Sequence, residues 1–86
     1  MNEYEIILRP AAQRDLRKIK EPSRTRIITA LKGLKEQARP KGVRKLAGQA
    51  NEWRMRVGDY RILYEIIDSE QIVHIFRIAH RREAYR

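Results

Sequence analysis

Arg54, Arg56 and Arg61 are closely spaced in this 86-residue chain, and His80, Arg81 and Tyr85 follow near its end. Guanidinium groups match phosphate oxygens in a planar fork and hold their charge at any working pH. A phenol among such cations loses its proton more readily, because positive neighbours favour the phenolate, and so Tyr85 is a candidate general base. His80 is of the one residue type that titrates near neutrality unperturbed, which makes it a candidate proton donor. Cleaving RNA by internal attack needs little beyond this inventory. The 2′-OH is already the nucleophile, and the protein orients it, removes its proton and stabilises charge on phosphorus. Such chemistry asks for no metal and no cofactor. The bland alternatives are a solvated basic face, a tail tyrosine packed on apolar surface and a half-exposed histidine at a strand end.

The stretch WRMRVGDYRILY, Trp53 to Tyr64, decides whether the arginines meet. Gly58-Asp59 separates two alternating, strand-favouring runs, and Gly first in a two-residue link predicts a type II′ hairpin turn. The register then pairs Val57 with Tyr60, Arg56 with Arg61, Met55 with Ile62, Arg54 with Leu63 and Trp53 with Tyr64. Strand side chains alternate, so Arg54, Arg56 and Arg61 share one face, while Trp53, Met55, Val57, Tyr60, Ile62 and Tyr64 share the other. Like charges placed directly opposite destabilise a sheet by up to about 1 kcal/mol per pair, so packing alone does not call for Arg56 against Arg61. An anion is expected there. Lys45 from the preceding connector and Arg81 from the tail would extend the patch.

Around the hairpin, Tyr4 to Leu8 reads as a strand, and Pro10 as the first turn of a helix carrying Ala12, Leu16 and Ile19. Glu21-Pro22 interrupts, and Ile27, Leu31, Leu34 and Ala38 mark a second helix with Ile28 widening its apolar face. Val43 to Gly48 is a basic connector or short extra strand. Asp68 to Gln71 is turn-like, and Ile72 to Ala79 is a further strand. Closing that turn symmetrically pairs Ile67 with Ile72, Glu65 with His74, Leu63 with Phe76 and Arg61 with Ile78. Val73, Ile75 and Ala79 would then face the core, and Leu63, Phe76 and Ile78 the arginines. The expected fold class is α+β: an N-terminal strand, an αα-hairpin, then an antiparallel β-meander packed on the helices, forming one domain over 1–86.

A formal net charge of +9 and a pI of about 10.5 imply a polyanionic partner. The absence of cysteine excludes disulfides, thiolate metal sites and a cysteine nucleophile. No apolar run reaches the length of a membrane span, and the first residues lack a leader pattern, so the expected location is the cytoplasm, without membrane association. The acidic residues form no metal-ligand or carboxylate-pair spacing. His74, beside Glu65 in register, and Trp53, opposite the arginines, read as structural.

KLAG at Lys45 to Gly48, WRMRVGDYRILYEIID and IFRIAHRREAYR together resemble the RelE branch of the RelE/ParE toxin superfamily, along the whole chain. The resemblance implies a RelE-like fold and the toxin of a toxin-antitoxin pair. It further implies an endoribonuclease that cuts mRNA on the ribosome and is neutralised by a cognate antitoxin, with DNA met only through that antitoxin. The functional set it implies is Arg54, Arg56, Arg61, Arg81 and Tyr85; beside it, this chain's own residues offer His80, at a place where other members carry different residues, as an alternative acid, and Arg44, Lys45 and Arg82 as RNA-binding residues. That branch carries lysines where this chain has Arg54 and Arg56, and arginine does not give up its proton. The rival reading is a ParE-like toxin that binds DNA gyrase without catalysis on the same scaffold.

Overall fold

The computed structural model describes residues 3–46 and 51–82. Its sheet is built on the hairpin read from the sequence: β3 (Glu52–Val57) and β4 (Tyr60–Ile67) pair as expected at all five positions from Val57–Tyr60 to Trp53–Tyr64. Gly58 has φ +58°, and Asp59 is not among the residues of positive φ, as a type II′ turn requires. Ahead of these strands come β1 (Glu5–Leu8), α1 (Pro10–Lys18), α2 (Ser23–Gly33) and a short β2 (Arg44–Lys45); β5 (Ile72–His80) follows them. The five-stranded sheet has the order β1-β5-β4-β3-β2. β1 lies parallel to β5, and the remaining neighbours are antiparallel. The α+β class is borne out.

Pro10 occupies the start of α1, where its missing N–H is no loss, and Arg17 and Lys18 complement the negative end of the helix dipole. The stripe expected to carry α2 through Ala38 stops being helical at Gly33. There the chain tightens into bonds spanning three residues, Leu34 N–H to Leu31 O at 3.1 Å and Lys35 N–H to Lys32 O at 3.2 Å. Leu34 and Ala38 stay buried even so. The buried Tyr64 hydroxyl donates to Ala38 O at 3.0 Å, fixing this segment against the sheet.

Ile27, Leu31 and Leu34 meet Met55, Ile62, Tyr64, Ile66, Val73, Ile75 and Ile78 in one core between the helices and one face of the sheet. Each fully buried aliphatic side chain contributes about 1.5–3 kcal/mol relative to exposure. Trp53 packs at its margin with the Arg39 guanidinium 5.1 Å from its ring.

The second hairpin departs from the symmetric closure. Ile67–Ile72 and Glu65–His74 pair as expected, but the ladder shifts between Leu63 and Tyr64, so that Leu63 meets Arg77, Ile62 meets Ile78 and Arg61 meets Ala79. Phe76 is the extra residue of a β-bulge. From that point every side chain changes face. Ile78, expected beside the arginines, belongs to the core, and Ala79, expected in the core, lies opposite Arg61. The turn itself relies on Gln71 in the left-handed region at φ 56°.

Candidate functional site

On the face away from the helices, Gly42, Arg44, Arg54, Arg56 and Arg61 line a cleft of about 260 Å³. Two ladder pairings create it: Arg44 stands opposite Arg54, and Arg56 opposite Arg61. Gly42, at φ +96°, turns the chain into β2 in a backbone conformation that side chains disfavour. Arg61 forms the floor at 5% exposure, Arg54 is half-buried, and Arg44 and Arg56 form an exposed rim. A buried guanidinium is held in place before any ligand arrives, whereas the rim arginines can adjust to one.

Three ion pairs lie outside the cleft. Arg39 holds Asp68 at 2.8 Å, Arg77 holds Asp15 at 2.8 Å, and Arg81 lies 3.8 Å from Asp59. No described carboxylate pairs with Arg44, Arg54 or Arg56. The Arg44–Arg54 pairing sets two like charges opposite each other, which works against the fold in the absence of an anion.

The other expected site residues are divided by the structure. Arg81 reaches the tip of the arginine hairpin, where its N–H donates to Asp59 O at 2.6 Å. Its side-chain pair with Asp59 is largely exposed and contributes little stability, so the backbone hydrogen bond is what holds Arg81 at the turn. Lys45 pairs with Trp53 and so belongs to the opposite face; alternation puts Arg44 in the cleft in its place. His80 is also turned away. It pairs with Tyr60, its ring meets the Tyr60 ring edge-on at 5.4 Å, and it lines a separate cleft of about 280 Å³ with Asp15, Lys18 and Arg77. The shift of register at Phe76 is the cause. The proton donor expected at His80 therefore does not face the arginine cleft. Arg82 is exposed, its N–H donating to His80 Nδ1 at 3.3 Å. Tyr85 lies outside the described residues.

Sequence reading missed Gly42, whose only signal was the Pro40-Lys41-Gly42 turn, and Asp59, whose signal was its place beside the glycine of the hairpin. It also missed Asp15. Burial alone would raise the Asp15 pKa, but hydrogen bonds from Arg77 and from the Ile78 N–H hold the carboxyl below its usual range. At the far sheet edge, Asp68 is held low by Arg39 and Tyr4, and in return its hydrogen bond to the Tyr4 phenol, at 2.6 Å, raises that group.

The family model for the ParE toxin of the type II toxin-antitoxin system parDE matches residues 6–85. The chain belongs to this toxin family. The superfamily resemblance carried by the KLAG, GDYR and HRREAYR segments is thereby borne out, and the chain is the toxin of a toxin-antitoxin pair. Among solved structures, the toxin is similar to a RelBE toxin-antitoxin complex from Mycobacterium tuberculosis, at 26% identity and TM-score 0.80, over 91% of this chain and 98% of that one. A RelE-RelB complex from the archaeon Pyrococcus horikoshii aligns with TM-score 0.83 at 22% identity, over 96% and 99% of the two chains. The isolated Escherichia coli RelE toxin aligns with TM-score 0.80 at 23% identity, over 95% and 90%. These last two establish that the toxin has the RelE fold. No curated protein sequence matches it.

Proposed function

We propose that this toxin is an endoribonuclease that cuts mRNA on the ribosome by driving the 2′-OH onto the adjacent phosphate. The observation carrying this reading is the convergence of Arg44, Arg54, Arg56 and Arg61 on one cleft, with neither carboxylate nor imidazole among the described residues that line it. A phosphate seated there would relieve two like-charge pairings at once. In the reaction, the 2′-oxygen bonds to phosphorus and the bond to the 5′-oxygen breaks; the leaving 5′-oxygen takes a proton from solvent water, giving a 2′,3′-cyclic phosphate and a 5′-hydroxyl. Arg61, buried and fixed, stabilises the charge that grows on the phosphoryl oxygens; Arg54 and Arg56 bind the flanking backbone. Tyr85 takes the 2′-OH proton, and Arg81, tied to the hairpin tip, favours its phenolate. With four arginines supplying the positive charge, the reaction asks for no metal held by the toxin itself.

Similar toxins are found in complexes with RelB-type antitoxins. A cognate antitoxin with an acidic segment suits a chain of net charge +9, and the pair acts in the cytoplasm. Among the described residues no helix is long and apolar enough to cross a membrane.

The test is cleavage of mRNA on purified translating ribosomes, beside free RNA and a gyrase supercoiling assay. Tyr85→Phe and Arg61→Ala should each slow cleavage by at least about a hundredfold, with antitoxin binding retained as the sign of a folded protein. Inhibition of gyrase with mRNA intact would overturn the assignment in favour of a ParE-like activity.

A further inference from the structure

The β-bulge at Phe76 decides which of two adjacent residues, His80 or Arg81, follows the arginine face. Without it, the pairing that starts at Ile67–Ile72 would put Ile78 opposite Arg61. His80 would then continue on the arginine side, and Arg81 on the helix side. With it, Ala79 stands opposite Arg61 and His80 opposite Tyr60, and Arg81 follows Ala79 to the turn at Asp59. A one-residue shift thus exchanges an imidazole for a guanidinium.

The bulge has a specific support outside the sheet. β1 accompanies β5 only as far as Leu8–Ile75, where the Arg9 N–H donates to Ile75 O at 2.9 Å and the chain turns into α1. Beyond that point the outer edge of β5 has no strand beside it among the described residues, and Asp15 of α1 takes the place of one. Its Oδ2 accepts the Ile78 N–H at 2.8 Å, and its two oxygens take Arg77 Nε at 2.8 Å and Arg77 Nη2 at 3.2 Å. Main-chain groups point to alternate edges along a strand. In the bulged register the Ile78 N–H faces outward to Asp15, whereas in an unbulged strand it would face β4. The carboxylate therefore reads the register directly and rewards only one of the two.

We infer that Asp15 is a positioning residue, which pins the bulge in β5 and so carries Arg81, in place of His80, along the arginine side of the strand to the hairpin tip at Asp59. The catalytic part of this inference rests on the nuclease reading; the register part stands without it. Asp15 touches no reacting atom. Its effect passes through the β5 backbone, consistent with the tendency of bulges to re-aim side chains beside active sites.

The test compares Asp15→Ala, Asp15→Asn and Asp15→Glu with the parent in two independent measurements. Cross-strand NMR contacts should pair Arg61 with Ala79 in the parent and add a set pairing Arg61 with Ile78 in Asp15→Ala. Cleavage of ribosome-bound mRNA should show kcat reduced about tenfold or more with KM within about threefold, because ground-state binding by Arg44, Arg54 and Arg56 remains. Asp15→Glu should recover part of kcat. If Asp15→Ala fails to fold, Asp15→Asn, which keeps an acceptor for the Ile78 N–H, is read in its place and should show the same effects more weakly. A single parental set of contacts in the variants overturns the inference. An altered register with kcat unchanged overturns the catalytic role. Should the parent cut no RNA, the nuclease reading falls and the NMR contacts still decide the register.

Discussion

Arg56 and Arg61 stand directly opposite each other across the β3–β4 ladder, the first exposed and the second only 5% exposed. Like charges in this relation repel, and a neutral side chain at position 56 would remove that repulsion. Arg56→Gln should therefore stabilise the isolated protein, by up to about 1 kcal/mol, while weakening RNA binding. Thermal unfolding and RNA titration on the same samples check both signs. Equal or lower stability in the variant would show that the pair is not strained.

The same variant should alter salt dependence. Each arginine engaging a phosphate of single-stranded RNA adds about 0.7 to the slope of log affinity against log salt. Removing Arg56 should lower the slope by about that amount for any RNA sequence, since a backbone contact carries no base information. A change confined to particular sequences would assign Arg56 to base reading.

Tyr64 should govern stability in alkali. Burial pushes its phenol up to about 12, above the value of about 10 it has when the chain is unfolded. A raised folded pKa means that this contribution is fully present below pH 10 and is lost as pH climbs from about 10 to about 12. Tyr64→Phe should remove that loss. At neutral pH the variant should be less stable by about 1–2 kcal/mol, because Ala38 O loses its donor. Unfolding followed at neutral and alkaline pH separates the two effects.

Asp15 should act at the opposite end of the scale. Its carboxyl is held low in the folded protein, so its stabilisation is present above about pH 4 and disappears as pH falls through the folded value. Asp15→Asn should flatten the acid limb of the stability profile below about pH 4. An unchanged acid limb would mean that the Arg77 pair contributes nothing measurable.

At the far sheet edge, Asp68→Ala should return the Tyr4 phenol toward its ordinary value, because the hydrogen bond that raises it is gone. Absorbance titration of the tyrosines reads the shift. Overall stability should hardly move, both carboxylate and guanidinium being well exposed.

Legibility from sequence followed local constraint. The arginine hairpin was readable to the residue because a two-residue link beginning with glycine admits one register. The Tyr60-to-His80 half of the second hairpin was not. Its first pairs followed from the turn, but no glycine marks the bulge, and its support, Asp15, lies more than sixty residues away in sequence. Arg44 and Lys45 illustrate the same limit on a smaller scale: their alternation was visible, but which of them faced Arg54 depended on the path from Gly42. The stripe ending in Leu34 and Ala38 correctly marked burial, and only the helix carrying it was overextended, since a buried face does not reveal how tightly the backbone coils.

The parallel ladder between β1 and β5 joins the earliest strand to be synthesised with the latest. While β5 is still inside the exit tunnel, β1 has no neighbour and the Asp59 carbonyl has no Arg81 to bind. A nascent chain therefore lacks both the β1–β5 ladder and the Arg81 contact with the hairpin tip until β5 has left the tunnel, so the arginine hairpin forms before the strand that completes its surroundings.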